Sequence, residues 1–349
     1  MMKQYFKIKE QNKDSILFFR LGDFYEMFYD DAKIASKELE LTLTGRDCGQ
    51  AERAPMCGVP FHSCEGYIAR LVAKGYKVAI CEQTEDPATA KGLVKRDIIR
   101  VITPGTVMES SMLDEGRNNY ICCMFSENKK IGLCFCDIST GELYATEISG
   151  SDSVNSLTSQ LASYNPREIL IGGDIVKIKS LPAFIKSKLS AGVEMLRDES
   201  FDNKLCTDTV NMQFGEEMQC IADSQVLINA FGALINYLKE TQKNGLERIN
   251  KIELYSDKQY MNLDYNTQRN LELTATMLNK EKRGSLLWVL DNTETSMGAR
   301  LLKQWIEKPL INPIEINKRL YSVKELTENI MLRDDLSAVL SGTYDISRI

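Results

Sequence analysis

Residues 20–31 read Arg-Leu-Gly-Asp-Phe-Tyr-Glu-Met-Phe-Tyr-Asp-Asp, and they follow an apolar run at 16–19 that predicts a short buried strand. Gly22-Asp23 interrupts the apolar pattern as a turn does. If the residues after this turn are extended, the two-residue period of a strand places Phe24, Glu26 and Phe28 on one face. An aromatic ring and a carboxylate would then leave the same side of a short element.

Two interpretations of this stretch are open from spacing alone. Aromatic strand residues usually build a core, and Glu26 would then be an ordinary solvated edge residue. Alternatively, the stretch is a probe with one tip for stacking and one for hydrogen bonding. Behind it, Asp30 is expected to cap a helix that runs from about Asp31 to Glu40.

The run from Gly22 to Ala32 closely resembles the signature of the mismatch-recognition domain in the MutS family of bacterial DNA mismatch-repair sensors. Residues 48–62, 75–83 and 94–106 are also similar to that domain, in the expected order and spacing. The resemblance implies that Phe24 is a wedge that stacks on a mispaired base from the minor groove. It implies that Glu26 hydrogen-bonds that base. The residues of the matching segments that are expected to line the DNA are Arg20, Leu21, Gly22, Asp23, Met56 and His62.

A basic stretch follows in the same region. Lys91, Lys95, Arg96 and Arg100 stand against a single acid, Asp97. One interpretation is a solvated loop. The other is a patch in which Lys95, Arg96 and Arg100 contact phosphates and so position the probe without reading sequence.

The bulk composition predicts a globular chain of two or three domains, with 43% hydrophobic and 26% charged residues in 349. A net charge of −6 weighs against strong sequence-independent DNA binding, so any contact must come from a local patch. The sequence contains neither an apolar run long enough to cross a membrane nor a secretory signal. We therefore expect a cytoplasmic protein, which the resemblance extends to a bacterial, nucleoid-associated one.

The ten cysteines do not have the spacing of a metal site. Cys48, Cys57, Cys64 and Cys81 lack paired two-residue spacing, and His62 is the only histidine. We expect no metal site and reduced thiols, several of them buried.

The order of patterns predicts an α/β multi-domain fold. Strands are expected at 16–19, 41–44, 76–81 and 98–102, and a helix at 64–74; a hairpin, 120–125 with 131–138, opens the next region. Further helices are expected at 156–164, 219–239, 264–278, 286–290, 299–307, 314–330 and 332–340, and a strand at 168–171. We assign residues 1–107 to a mixed α/β mismatch-recognition domain and 108–117 to a linker. Residues 118–248 resemble a ribonuclease-H-like connector domain, and 249–349 the start of an all-α core domain.

The resemblance also implies what these residues would lack. No Gly-x-x-x-x-Gly-Lys-Ser/Thr loop occurs, so we expect an N-terminal fragment without the family's ATPase and clamp, with no catalytic residue and no cofactor. ATP and magnesium belong to the full-length family. Its partners are mismatched or looped double-stranded DNA and a MutL-type repair factor that binds the connector. The full-length family members are homodimers, whereas the fragment is expected to be monomeric and to bind DNA weakly.

Two other functions compete with this one. A ribonuclease-H-like nuclease would place a metal-binding carboxylate at Asp137, with Asp152, Glu168 or Asp174 completing the cluster. The simpler interpretation is that Asp137 caps a turn at the end of a strand. Alternatively, the middle domain works mainly as a docking module for a downstream repair factor.

Overall fold

The computed structural model describes residues 1–48, 52–85, 92, 94–189, 191–243, 245–256 and 259–348. They form two compact units. The first comprises residues 1–112 and 235–247, and the second comprises residues 113–234 and 248–349. These units follow packing and divide one helix between them, so the domain boundaries given above stay a prediction.

The first unit contains a six-stranded sheet with the order β3-β4-β2-β1-β5-β6. β1 and β5 are parallel, and the other neighbouring pairs are antiparallel. The strands are β1 (Ser15–Leu21), β2 (Phe24–Phe28), β3 (Thr44–Arg46), β4 (Ala54–Pro60), β5 (Lys77–Gln83) and β6 (Arg96–Ile102). The predicted strands at 16–19, 76–81 and 98–102 are present. The one at 41–44 was placed too early, because β3 only begins at Thr44.

Helices cover both faces of this sheet. On one face, α1 (Met2–Gln11) brings the Tyr5 ring to centroid distances of 5.6 Å from Phe19 and 5.1 Å from Phe28. On the other, α2 (Tyr29–Leu39) packs so that the Cys57 thiol donates to the backbone carbonyl of Ala32, and α3 (Cys64–Ala73) packs beside α2. A strand buried on both faces carries a continuous apolar run, which explains residues 16–19.

The start of α2 differs from the prediction. Phe28, not Asp30, occupies the position before the helix, because β2 passes directly into α2 without an intervening loop. Asp30 instead forms an ion pair with Lys33 at 3.0 Å. Asp31 is buried and accepts hydrogen bonds from the Leu17 amide (3.0 Å), from Lys9 (2.9 Å) and from the Tyr5 hydroxyl (3.4 Å). One buried carboxylate thereby ties α1, β1 and α2 together.

The second unit contains another six-stranded sheet, in the order β11-β10-β7-β8-β9-β12. β7 (Tyr120–Glu127) and β8 (Lys130–Asp137) form the predicted hairpin. Its two turn residues, Asn128 and Lys129, have φ of 52° and 64°, as in a type I′ turn. The other strands are β9 (Glu142–Ser149), β10 (Glu168–Gly173), β11 (Gly192–Met195) and β12 (Glu253–Leu254). The antiparallel β7-β8-β9 followed by parallel β10 and β11 confirms the mixed α/β class.

The helices around this sheet approach it closely. They are α4 (Ser153–Tyr164), α5 (Leu181–Phe184), α6 (Asn203–Phe214) and α7 (Gln225–Gln242), of which residues up to Leu234 belong to this unit. A Cβ built on Gly132 would lie 2.2 Å from the Val226 carbonyl oxygen. The predicted helix 219–239 was wrong at its start. A 3₁₀ helix ends at Ile221, and α7 begins only at Gln225.

The remaining elements from residue 259 onward are almost entirely helical. They are α8 (Tyr265–Asn270), α9 (Leu286–Leu290), α10 (Ser296–Glu307), α11 (Pro313–Glu328) and α12 (Ile330–Ser341). The predicted helix 264–278 ends early, since Glu272 adopts a left-handed φ of 47° and its carboxylate accepts from the Met277 amide at 2.6 Å. In α10, the buried Arg300 pairs in bidentate fashion with Asp345, at 2.7 and 2.8 Å.

The structure can be compared with the expectations of reduced thiols and of no membrane-spanning segment. All ten cysteines lie within the described ranges, and they are free thiols, most of them buried. Across the same ranges, no helix combines the length and the apolar character that crossing a membrane requires.

Candidate nucleic-acid interface

Phe24 lies at the start of β2, directly after the Gly22-Asp23 turn. Its side chain is 47% exposed, whereas Tyr25 and Met27, which point to the opposite face, are 5% and 0% exposed. Gly22 has a φ of 58°, a conformation that costs glycine little and lets β1 reverse into β2. The ring is therefore presented at the tip of a hairpin whose neighbouring residues are fixed in the core.

The three residues predicted to share a face do so, with different surroundings. Phe24, Glu26 and Phe28 lie opposite Pro60, Gly58 and Met56 on β4. Phe28 is fully buried under α1. Phe24 and Glu26 lie further along the same face, and Glu26 is only partly buried. The core interpretation thus holds for Phe28 and fails for Phe24.

Arg20 braces the turn that carries Phe24. Its guanidinium carbon lies 3.6 Å from the centroid of the Phe61 ring, and its Nε donates to the Gly22 carbonyl oxygen at 2.5 Å. Another guanidinium nitrogen lies 3.3 Å from Glu82 Oε1, and the same oxygen accepts from the Tyr25 hydroxyl. Burial, followed by the hydrogen bond to Glu82, raises the pKa of Tyr25. Arg20 thus mainly stabilises the turn. These contacts engage much of its guanidinium group, which limits how much of it could contact DNA.

Glu26 is held by an arginine that the sequence did not single out. Arg46 on β3 forms an ion pair with Glu26 Oε2 across the intervening strand β4. Gly58 lies opposite Glu26 on β4, and a Cβ there would come 3.5 Å from Glu26 Cγ and 3.2 Å from the Tyr25 carbonyl oxygen. The absence of a side chain at Gly58 leaves space for the Glu26 side chain and the Tyr25 carbonyl oxygen.

The other residues expected to line DNA differ in their exposure to solvent. Gly22, Asp23 and His62 are exposed, while Leu21 and Met56 are half-buried and pack against the core under α1. His62 follows Phe61, and their rings meet edge to face at 5.8 Å. The turn and the segment after β4 therefore border Phe24, joined by the Phe61 amide, which donates to the Asp23 carbonyl at 2.9 Å.

Two arginines of the predicted phosphate patch, Arg96 and Arg100, make their contacts within the protein. Arg96 is buried, and it donates from Nε to the Arg20 carbonyl at 2.7 Å. Arg100 donates to Gln242 at 2.6 Å and to the Thr106 carbonyl at 2.9 Å, and it pairs with Glu109. The buried Arg96 and the half-buried Arg100 thus have partners within the protein, and their role as phosphate contacts stays a prediction.

Burial also lowers the pKa of Arg96. Of the predicted patch only Lys95 is exposed, and Lys91 lies outside the described residues.

Asp137 caps a turn, as the simpler interpretation predicted. It is fully buried, and its Oδ1 accepts from the Ser139 amide (3.0 Å) and hydroxyl (2.6 Å). Its Oδ2 accepts from the Asn118 side chain and from the Asn119 amide, both at 3.0 Å.

The partners proposed for a nuclease do not gather around Asp137. Asp152 and Asp174 are exposed, and Glu168 is buried at the start of β10. Over the described residues, no group of three or more histidine, cysteine or acidic side chains could hold a metal ion. The turn interpretation thus accounts for Asp137 without a metal.

Three contributors to this site escaped the sequence reasoning. Arg46, Phe61 and Glu82 act on the probe from β3, from the segment after β4 and from β5. Each contact joins residues that are far apart in sequence, so periodicity gives no signal for it. Gly58 is a local signal of close approach within a strand, but the groups that approach it are Tyr25 and Glu26 and none of these three residues.

Comparison with known proteins extends these observations. The family model described as MutS domain I matches residues 1–111, that of MutS domain II matches 119–253, and that of MutS domain III matches 266–349. The curated DNA mismatch repair protein MutS of Ruminiclostridium cellulolyticum is 51% identical over all 349 residues, and that of Acetivibrio thermocellus is 50% identical. This chain spans 40% of the length of each of these two relatives. The MutS protein of Clostridium tetani is 48% identical over the same residues, which make up 39% of its length.

Proposed function

The chain belongs to the MutS family, and we propose that its domain I recognises mispaired or unpaired bases in double-stranded DNA. Phe24 enters from the minor groove and stacks on such a base, while Glu26 hydrogen-bonds it. The observation that carries this proposal is the Phe24 ring, 47% exposed at the tip of a braced hairpin whose alternate residues are buried. A ring packed inside its own domain could not reach a groove.

The energetics of unstacking explain how one ring can discriminate. A paired duplex resists a wedge, because unstacking costs a few kcal/mol per step. A mismatched or unpaired base has already lost part of that stabilisation, so the same wedge enters at lower cost. Stacking an aromatic ring on the base returns about 1–3 kcal/mol. Preference then arises from deformability, which suits a sensor that must accept many sequences.

The rigidity of the hairpin strengthens this reasoning. A probe that had to become ordered on binding would lose part of the stacking free energy to conformational entropy. Arg20 fixes the turn through Gly22 and Phe61, and Tyr25 is fixed through Glu82. Phe24 is therefore supported on both sides before DNA arrives.

The direct test is Phe24→Ala, measured by competition between mismatched and fully paired duplexes in fluorescence anisotropy. Two proteins carry the change: the 349-residue chain, and a chimera in which this chain replaces the matching residues of R. cellulolyticum MutS. Loss of stacking should reduce the mismatch preference about tenfold or more.

Phe6→Ala is the matched control, since Phe6 is 48% exposed on α1 in the same unit. It should leave the preference intact. Equal preference in Phe24→Ala and in the parent protein would refute the wedge.

Glu26→Gln tests the second tip. It should change discrimination among mismatches while leaving the fold intact, because Glu26 is only partly buried. A large loss of melting temperature would instead assign Glu26 a structural role.

The family supports further parts of the proposal that concern the whole protein. Domain II would dock a MutL-type repair factor, and the protein would act as a homodimer in the cytoplasm, associated with the nucleoid. ATP and magnesium would bind the family's ATPase domain, which lies outside the region matched here, so the 349-residue chain should not hydrolyse ATP. Pull-down with purified MutL, sedimentation and an ATPase assay test these points separately.

A further inference from the structure

We infer that Arg46 is a specificity-determining positioning residue for the probe: it holds Glu26 as a hydrogen-bond acceptor, so that the pair selects extrahelical bases offering a free N–H donor. This inference rests on the proposed function of Phe24 and Glu26. It adds a residue on a different strand and a chemical rule for the base.

The position of Arg46 in the sheet makes the contact specific. Arg46 and Thr44 pair with Ala54 and Met56 on β4, which places the Arg46 side chain on the same face as Glu26. To reach Glu26 from β3, the guanidinium must cross β4. Both side chains are only partly exposed, 36% for Arg46 and 16% for Glu26.

The negative charge of DNA explains why Glu26 needs Arg46 beside it. A carboxylate brought against DNA meets phosphate charges of the same sign, which disfavours binding. Arg46 supplies a cation at contact distance and removes most of that repulsion. It contacts Oε2, so Oε1 remains the oxygen that can face the base.

The chemical consequence concerns which bases are read. An ion-paired carboxylate accepts hydrogen bonds and has no proton to donate. It therefore favours bases that present an N–H, such as the N3–H of an unpaired thymine, and disfavours bases whose nearest group is an acceptor. A hydrogen bond to a charged acceptor should give about tenfold or more between two such bases.

The test compares a duplex carrying one unpaired thymine with the same duplex carrying N3-methylthymine, which stacks but has no N3–H. Binding is measured in the chimera and in the 349-residue chain, with a fully paired duplex as reference. The parent protein should prefer thymine about tenfold or more over N3-methylthymine. Arg46→Met should lower that ratio at least several-fold, because Glu26 loses its fixed orientation.

A double-mutant cycle separates this role from a direct DNA contact. In a Glu26→Gln background, Arg46→Met should leave the thymine to N3-methylthymine ratio unchanged. Arg46→Lys keeps the charge without the forked geometry and should give an intermediate ratio. Arg53→Met is the matched control, an exposed arginine next to β4 whose loss should not alter the ratio.

Defined outcomes overturn the inference. The inference is refuted if Arg46→Met has the same thymine to N3-methylthymine ratio as the parent protein. It is also refuted if Arg46→Met lowers that ratio equally in the parent and in the Glu26→Gln background, which would make Arg46 an independent phosphate contact. If Arg46→Met lowers the melting temperature, the exchanged pair Glu26→Arg with Arg46→Glu retains the ion pair and should still lose the preference for thymine.

The proposed function has its own failure signal. Unchanged mismatch preference in Phe24→Ala refutes the wedge itself. By contrast, loss of that preference together with an unaltered ratio in Arg46→Met refutes only the role of Arg46.

Discussion

Arg96→Met should destabilise the first unit without removing a phosphate contact. The guanidinium donates from Nε to the Arg20 carbonyl (2.7 Å), and from another nitrogen to the Val94 carbonyl (2.9 Å) and the Gln4 side chain (3.3 Å). It also lies 5.2 Å from the centroid of the Phe19 ring. Methionine fills much of the same volume but cannot donate to any of these acceptors.

The magnitude follows from those contacts. Each buried acceptor left without its charged donor costs about 1–3 kcal/mol, and relaxation will recover part of the total. We expect a loss of about 3 kcal/mol in the free energy of unfolding. For a unit of this size, that corresponds to a decrease of roughly 10 °C in its melting temperature. Because Arg96 holds the carbonyl of Arg20, loosening should begin in the hairpin that carries the probe.

The assay pairs thermal unfolding with the salt dependence of DNA binding. Losing a phosphate contact lowers the slope of log K against log salt concentration by about 0.9. Arg96→Met should leave the slope unchanged, whereas Lys95→Met should leave the melting temperature unchanged, because Lys95 is exposed. A reduced slope with unaltered stability in Arg96→Met would refute the reasoning and restore the phosphate role.

Three other predictions concern packing, pH and affinity. Gly132→Ala should destabilise the second unit by about 3 kcal/mol, because its Cβ would lie 2.2 Å from the Val226 carbonyl. Gly192→Ala is the control in denaturant titrations, because its Cβ would meet only the Arg167 carbonyl oxygen, at an ordinary contact distance of 3.8 Å. The hydrogen bond from Arg300 lowers the pKa of Asp345 to about 2 from 3.8, so this pair stabilises the fold above pH 3.8 and its contribution disappears as the pH falls through 2. Arg300→Met should remove that pH dependence from acid unfolding curves. If the variant and the parent protein lose stability identically at low pH, the contribution of this pair is contradicted. The 349-residue chain alone should bind mismatched DNA only weakly, given its net charge of −6, and nanomolar affinity in anisotropy titrations would contradict this.

The geometry of the probe was predictable from the sequence because it is local. A turn at Gly22-Asp23 followed by an extended segment places Phe24 and Glu26 on one face by strand period alone. Whether that face was buried depended on where α1 ends over the sheet. Strand periodicity does not show how far the helix extends over the sheet. The sequence therefore could not tell that Phe28 is buried in the core while Phe24 is exposed.

Contacts that cross strands were not predictable in the same way. Arg46 reaches Glu26 over β4, and the predicted strand at 41–44 ended before Arg46. The basic run is a related case. Charged side chains are usually solvated, whereas Arg96 and Arg100 donate to groups on distant segments, and neither partner can be read from the local sequence. The predicted helix ends were wrong where the usual capping residue was replaced. At Tyr29 a strand leads directly into the helix, and at Glu272 a left-handed residue follows α8.

The buried carboxylate of Asp31 sets a limit on how far the recognition domain can be trimmed. A minimal module that began at β1 would discard Lys9 and Tyr5, which are two of the three donors to that anion. The remaining charge would sit in an apolar interior with the Leu17 amide alone, and removing partners of a buried ion costs several kcal/mol. Engineers who want the smallest working mismatch reader should therefore keep the first helix, although it contributes no residue to the probe.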